Sequence, residues 1–470
     1  MKRILSVLLA AAMLTASFTA CGGSNAPAET PAEEPAAEES TAAPADSGKR
    51  LSDTDVNIDF WHHMEGTSAV ALEETVQNFN DTVGKEYGIV VTPSFQGTNT
   101  AEKLKTLAQA GDWGNFPDVC QVASAGIPVI SGYDLLVTPE EMYAAGENII
   151  TPREDILANA QRTFTYMDEL CALPFSNSAI LLYYNKDMFE AAGIENPPAT
   201  IAEMVEDIEK LTVKNGEEVE TYGLEVQVKR YQLLNFLGAM GEYNFLGDNE
   251  GGRTGLMTKT TIGEDGSLMA FLDEWEKVIA TGGYKPVEDN INEEFAMEMT
   301  AMAIMSSARI AKVDELTGGA LNYGTAQLPT VSADDKGGIA VGGSGVVMFD
   351  KDDELRKTAA WIFQQYLAGE DAQYTFCTGS GYIPINSKLY DSERMQTFLA
   401  ENEPMQAAAV AMQNANPNVQ EPFDMVTGEI NTIIDTEMVN FANGQDKQTT
   451  HDNIVNQINA KLAEYVSVNG

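Results

Sequence analysis

Histidine and cysteine are scarce in this chain of 470 residues, which has three of the first and four of the second. Three histidines (His62, His63 and His451) cannot furnish the repeated pairs of a zinc enzyme, and they supply a serine triad poorly. With Cys21 set aside, Cys120, Cys171 and Cys377 permit one disulfide at most, so stability must come from packing. Positive charge is short too. The 28 Lys and Arg face 71 Asp and Glu, a net charge of −43, which speaks against nucleic acid and acidic lipid headgroups as partners. After the first twenty residues no apolar run is long and charge-free enough to span a bilayer. A Walker loop and a dinucleotide fingerprint are also missing.

What the N-terminus does have is a leader. Met1-Lys2-Arg3 precedes an apolar run from Ile4 to Ala12, the charge and length of a secretory signal. Thr19-Ala20-Cys21 resembles a bacterial lipobox, so residues 1–20 are expected to be a lipoprotein signal peptide and Cys21 the lipidated first residue of the mature chain. The alternative is a secreted protein in which Cys21 is incidental. Residues 21–50, rich in Pro, Ala and Glu and without an aromatic, cannot bury enough surface to offset ordering entropy. They are expected to form a disordered acidic tether, with the lipid as the only membrane attachment.

Residues 51–470 exceed what one core usually accommodates, so two lobes are the default. Val56, Ile58 and Phe60 alternate with polar residues as in a half-buried strand, and Leu72, Val76 and Phe79 follow at helical spacing. Ile89-Val90-Val91 is the next strand, and the alternation continues, which predicts a mostly parallel sheet covered by helices. Thr200-Ile201-Ala202-Glu203 reads as a capping box before a helix, and Leu355, Ala359, Ile362, Phe363 and Tyr366 read as another helical stripe. The stretch Leu173–Asp187 is where the chain changes lobes. Pro174 ends one extended run and Ala179–Tyr184 restarts as an apolar strand. Phe175, Ser176, Asn177 and Ser178 at that break offer a flat face beside hydroxyl and amide groups, which suits a polyhydroxylated ligand. Residue types alone favour the plainer alternative, a turn with an aromatic buried for packing. The glycine run Gly342-Gly343-Ser344-Gly345 predicts a second crossing and Ser380–Ile385 a third.

Other constellations are weaker. His62, His63 and Glu65 could ligate a metal, but a strand-end turn explains them more simply. Met297, Met299, Met302 and Met305 could bind copper(I), although methionine also fills irregular cores. The glycine run is not a nucleophile elbow, and among 71 carboxylates no glycosidase pair can be picked out. A binding protein outranks an enzyme; no metal, cofactor or catalytic residue is expected.

Four segments in order then carry a resemblance: Trp61-His62-His63-Met64-Glu65-Gly66; Pro174-Phe175 with Leu182-Tyr183-Tyr184-Asn185-Lys186-Asp187; Gly342-Gly343; and Gly381-Tyr382-Ile383-Pro384-Ile385. Over most of residues 55–466 the chain resembles the extracellular solute-binding proteins of ABC importers, in the family of maltose- and glycerol-3-phosphate-binding proteins. The resemblance implies an α/β fold of the two-lobed periplasmic-binding-protein type II, with a hinge between lobes that close over a ligand. The lobes are expected at 51–172 with 343–383 and at 173–342 with 384–470. The implied partners are a small solute (sugar, oligosaccharide or polyol) and the permease, and the receptor is expected to be a monomer. By the resemblance Ser178, Ser306, Gly343 and Tyr382 fall on ligand-contacting positions. The family's acidic contact falls on Ser124 and its cleft tryptophans fall near Gln227 and Arg230. Its phosphate-holding arginine belongs near Pro422-Phe423-Asp424, where no basic residue stands, so Arg230 or a helix N-terminus would have to substitute. A neutral sugar is therefore expected rather than glycerol 3-phosphate. Trp61, Glu65, Phe175 and Asn177 complete the expected site. The remaining alternatives are a glycerol-3-phosphate or glycerophosphodiester receptor and an extracytoplasmic carbohydrate-active enzyme.

Overall fold

Val56, Ile58 and Phe60 point inward while Asn57 and Asp59 face solvent, and this alternation makes strand β1 (Val56–His62). A computed structural model describes residues 48–241, 246–287, 289–335 and 337–469; the expected signal peptide, Cys21 and the tether up to residue 47 lie outside the described residues. The last tether positions belong to the folded body. Lys49 pairs with Glu86 and Arg50 with Asp55, each at 2.8 Å.

The strands that build the two main sheets follow in chain order: β2 (Ile89–Phe95), β3 (Val119–Ala123), β4 (Leu136–Val137), β5 (Leu173–Ser178), β6 (Ile180–Asn185), β7 (Val213–Asn215), β8 (Glu218–Glu225), β9 (Tyr284–Lys285), β10 (Thr300–Ser306), β11 (Tyr323–Gln327) and β12 (Gly342–Phe349). The first sheet runs β2-β1-β3-β12-β4, with β5 also on β12; the second runs β9-β8-β10-β6-β11, with β7 on β8. In the first, β1 is parallel to β2 and β3, whereas β12 is antiparallel to β3, β4 and β5. The second repeats the plan. There β8 is parallel to β9 and β10, and β6 is antiparallel to β10 and β11. The sheets are thus mixed where helix–strand alternation alone predicts a mostly parallel one, because the strands that cross between lobes return antiparallel.

The change of sheet falls at Ala179, not at residue 173, since β5 still pairs with β12 of the first sheet while β6 pairs in the second. Pro174 does not end the strand. It lies opposite Gly345 beside a register shift, the kind of irregularity that tolerates a residue with no N–H to donate. The second crossing runs from Ala340 into Gly342, as the glycine run indicated. Ser380–Ile385 touches the second lobe at Gly381 but returns to the first, where the Ile383 N–H donates to the Asn177 carbonyl at 2.8 Å. The third crossing is helix Glu393–Glu401. Arg394 at its start pairs with Asp371, and just past its end Glu403 pairs with Lys186.

The helices follow their apolar spacing. Helix Gly66–Asp81 buries Leu72, Val76 and Phe79; helix Ile201–Leu211 buries Ile201, Met204, Ile208 and Leu211. At its start Thr200 Oγ1 accepts the Glu203 N–H at 3.2 Å, but the Glu203 carboxylate reaches back to the Ala199 N–H, one residue before the cap. Leu355 is 45% exposed although its stripe partners are buried, because it lies in the first turn of helix Glu354–Leu367. One core packs the second sheet against helices Ile201–Leu211, Arg230–Ala239, Ser267–Ala280, Thr427–Ala442 and Lys447–Asn469. The other begins in the first lobe and continues through Ala179, Leu181 and Tyr183 to Met405 and Met412. The thiols of Cys120, Cys171 and Cys377 are buried and unpaired.

Candidate functional site

Ligands of open α/β sheets bind beyond the carboxyl ends of parallel strands, where the strand order reverses. Here β3 ends at Ala123, β8 leads into Lys229 and Arg230, and β10 ends at Ser306. Ala125, Arg230 and Ser306 line one cavity of about 530 Å³. Tyr231, Gln232, Arg309, Glu421, Thr427 and Asn431 supply most of its remaining polar wall.

Arg230, the first residue of helix Arg230–Ala239, is 3% exposed. Its Nη1 donates to Glu421 Oε1 at 2.6 Å, and its Nη2 donates to Asp424 Oδ2 at 2.7 Å and to the Pro422 carbonyl at 3.1 Å. Nε is buried without a partner among the described residues. Burial works against the charge, but Asp424 and Glu421 outweigh it and hold the guanidinium above its usual value. The guanidinium absent from the sequence at 422–424 therefore arrives there in space, from another helix. Across the cleft, the Ser124 hydroxyl donates to Glu421 Oε2 at 3.0 Å. Ser124, a serine at the position on which the resemblance puts an acidic contact, thus has a carboxylate beside it from Glu421.

The segment carrying Glu421 is fixed from behind. Arg253, fully buried, donates to the carbonyls of Arg162, Thr165 and Glu421 at 2.9, 3.0 and 2.7 Å, with its guanidinium 4.0 Å from the centre of the Phe423 ring. Burial and then the charge of Arg162 lower its pKa to about 9. Helix Arg230–Ala239 is tied to the second crossing. Tyr231 OH donates to the Ala340 carbonyl at 3.0 Å, and Asn235 Oδ1 accepts the Ala340 N–H at 2.9 Å.

On the first lobe, His63 Nε2 lies 3.1 Å from Ser344 Oγ and the His63 N–H donates to Gln121 Oε1. Gln121 Nε2 in turn donates to Ser176 Oγ at 2.9 Å. Burial and then neighbouring His62 lower the His63 pKa to about 4, so the imidazole is neutral at pH 7.

The expected site residues fall into three groups. Arg230 and Ser306 line the cavity, where Ser306 Oγ also accepts the Ala308 N–H, and Ser124 is joined to it through Glu421. Asn177, Ser178, Gly343 and Tyr382 gather where β5 and β12 begin to part. Asn177 Nδ2 donates to the Gly342 carbonyl at 3.1 Å, Ser178 lies opposite Gly342, and Tyr382 stands one residue before Ile383. Trp61 and Glu65 stand at the end of β1; Lys103 lies 4.5 Å from the Trp61 ring centre and Glu65 is exposed. Phe175 is a correction. Its ring is fully buried 4.5 Å from Phe376 and shows no face to the cleft, whereas half-buried Tyr382 stacks on Phe376 at 5.4 Å. The metal alternatives lose their geometry: His63 turns to Ser344, His62 Nδ1 accepts the Met64 N–H, and Met297 and Met299 are exposed while Met302 and Met305 are buried. No group of three His, Cys, Asp or Glu side chains among the described residues is arranged to hold a metal ion.

Glu421, Arg309 and Asn431 carry no sequence signal of their own. Glu421 adjoins Pro422–Asp424, and of the two substitutes the sequence left open there, the fold brings Arg230.

The sequence pattern of the bacterial extracellular solute-binding protein family matches residues 74–407. The sn-glycerol-3-phosphate-binding periplasmic protein UgpB of Salmonella typhimurium is 27% identical over 434 residues, 89% of this chain and 95% of its own. Among solved structures, the sugar-binding protein MalE from Xanthomonas citri is similar with a TM-score of 0.72 and 21% identity, over 88% of this chain and 99% of that one. UgpB from Mycobacterium tuberculosis, solved with glycerophosphocholine, gives 0.71 and 19% over 88% and 100%. These likenesses establish the two-lobed α/β fold.

Proposed function

The chain belongs to the bacterial extracellular solute-binding protein family, and from that premise we propose that it is the receptor of an ABC importer, capturing a neutral polyhydroxylated solute between its lobes for the membrane permease. The observation that carries the choice of solute is the state of Arg230. Two carboxylates already claim its guanidinium, so a phosphate would have to displace one of them or bind against a local excess of negative charge. Beside the charged Lys229, Arg309 and Asp435, the cavity offers hydroxyl and amide chemistry from Ser306, Tyr231, Gln232, Thr427 and Asn431. An unpaired buried polar group costs roughly 1–3 kcal/mol, which is how such a wall would reject a ligand lacking a hydroxyl.

The reading includes a lipid anchor on Cys21, a tether and a monomeric receptor that binds without altering its ligand. The anchor and tether are supported by the leader sequence, and binding outside the cytoplasm by the extracellular family; no described helix is long and apolar enough to cross a membrane.

A second reading keeps glycerol phosphates. Arg309 is exposed on the same cavity and makes no ion pair among the described residues, and UgpB of Salmonella typhimurium is named for glycerol 3-phosphate. A thermal-shift panel of neutral sugars, polyols, glycerol 3-phosphate and glycerophosphocholine separates the two. A ligand at 100 times its Kd adds about 2.7 kcal/mol to the folded state. The largest rise is expected from a neutral solute; the largest rise from glycerol 3-phosphate would reverse the choice.

A further inference from the structure

We infer that Glu421 is the specificity-determining residue that keeps anions out of this cleft, and that behind it lies a ready anion subsite made of Ser124 and Arg230. The inference rests on the neutral-solute reading and names the side chain that enforces it. Both carboxylate oxygens of Glu421 are engaged, Oε1 by Arg230 Nη1 at 2.6 Å and Oε2 by the Ser124 hydroxyl at 3.0 Å. These two donors come from opposite lobes, and they are the donors a phosphate or carboxylate would use. The side chain of Glu421 lines the cavity and is 16% exposed, so a ligand group could reach the place it fills. It is not free to swing away with its backbone, because Arg253 holds the Glu421 carbonyl at 2.7 Å.

Charge decides the outcome. Around Arg230 itself, with Glu421 in place, two carboxylates face one guanidinium, an excess of one negative charge within that cluster, while Lys229 and Arg309 line other parts of the cavity. Without it, Asp424 still balances Arg230, while Nη1, the buried Nε and the Ser124 hydroxyl are left to be satisfied from the cavity. A buried cation with open donors then gains by accepting an oxyanion. Glu421→Ala removes the occupant. Glu421→Gln keeps a polar group of the same shape but removes the charge, so it opens the subsite less.

The test is titration of the purified full chain with inorganic phosphate, with melting temperature as the fold check. Wild type is expected to show no binding at millimolar phosphate. Glu421→Ala is expected to tighten binding by at least about tenfold, and Glu421→Gln by less. Asp435→Asn removes one negative charge from the same cavity without touching Arg230 and controls for overall charge; it should gain little. If either Glu421 variant folds yet binds phosphate no better than a wild type that ignores it, or if Asp435→Asn gains as much, the inference is overturned and the neutral-solute reading stands. If wild type itself takes phosphate, that reading fails as well.

Discussion

His63 shows burial setting the charge of a single side chain. Its pKa is about 4 in the folded chain against 6.5 for an open histidine, lowered first by burial and then by His62. The folded state therefore binds fewer protons than the unfolded one between these values, so stability rises with pH across that window. The contribution is complete above pH 6.5, is lost as pH falls through 4, and amounts to about 3 kcal/mol. Glu225 acts in the opposite sense. Burial raises its carboxyl pKa, Lys285 pulls it back only in part and the like charge of Glu294 adds to the rise, so it favours the folded state more as pH falls. The wild-type slope mixes the two, and the informative measurement is the difference between wild type and His63→Gln in urea unfolding at pH 7.5 and 4.5. The variant, which can still bond Ser344, is expected to lose markedly less stability on acidification; equal losses would contradict a buried neutral His63. At this scale the sequence indicates the right atoms but not their partners. Ser124, Arg230 and Ser306 are legible through the family resemblance, whereas the Glu421–Arg230 pair joins positions 191 residues apart and no local pattern contains it.

At the scale of elements, apolar patterning places β1, β2 and the helix stripes because it records which face is buried. It cannot tell which sheet a strand joins, since pairing is a long-range choice; hence β5 reads as the start of the second lobe and lies in the first. Residue spacing likewise marks the Ser380–Ile385 turn but not that the chain crosses later, along helix Glu393–Glu401. The junction of β5 and β12 yields a sharp test. Gly343 has φ +119°, and a Cβ there would lie 2.0 Å from the Ser176 carbonyl oxygen and 2.9 Å from the Asn177 Cα. Both are backbone atoms in a paired strand, so neither can yield cheaply. Gly343→Ala is expected to cost about 3 kcal/mol or more in urea unfolding. Gly146→Ala, also at positive φ but with open space, should cost only about 1 kcal/mol. Equal costs would mean that the close approach of the two strands plays no part.

At the scale of the whole molecule, two sheets of the same mixed plan meet across a cavity whose buried cation is already neutralised, and the chain as a whole carries a charge of −43. Long-range attraction therefore does nothing to recruit an anionic solute, and on the neutral-solute proposal selection falls to hydroxyl-matching groups inside the cleft. The two-lobed architecture was legible from length, composition and four short motifs, because a chain this long divides into cores; the identity of the wall was not, because it is assembled from segments far apart in the chain. The most direct check is calorimetric titration of wild type and Asn431→Trp with the neutral solute that gives the largest thermal shift, and with glycerol 3-phosphate. Asn431 lines the cavity from helix Thr427–Ala442, so tryptophan there fills the cleft. Wild type should bind the neutral solute saturably at one site and prefer it to glycerol 3-phosphate, and Asn431→Trp should weaken that binding at least about tenfold with its melting temperature kept. Tighter binding of glycerol 3-phosphate, or equal binding by both proteins, would contradict a neutral solute held between the lobes.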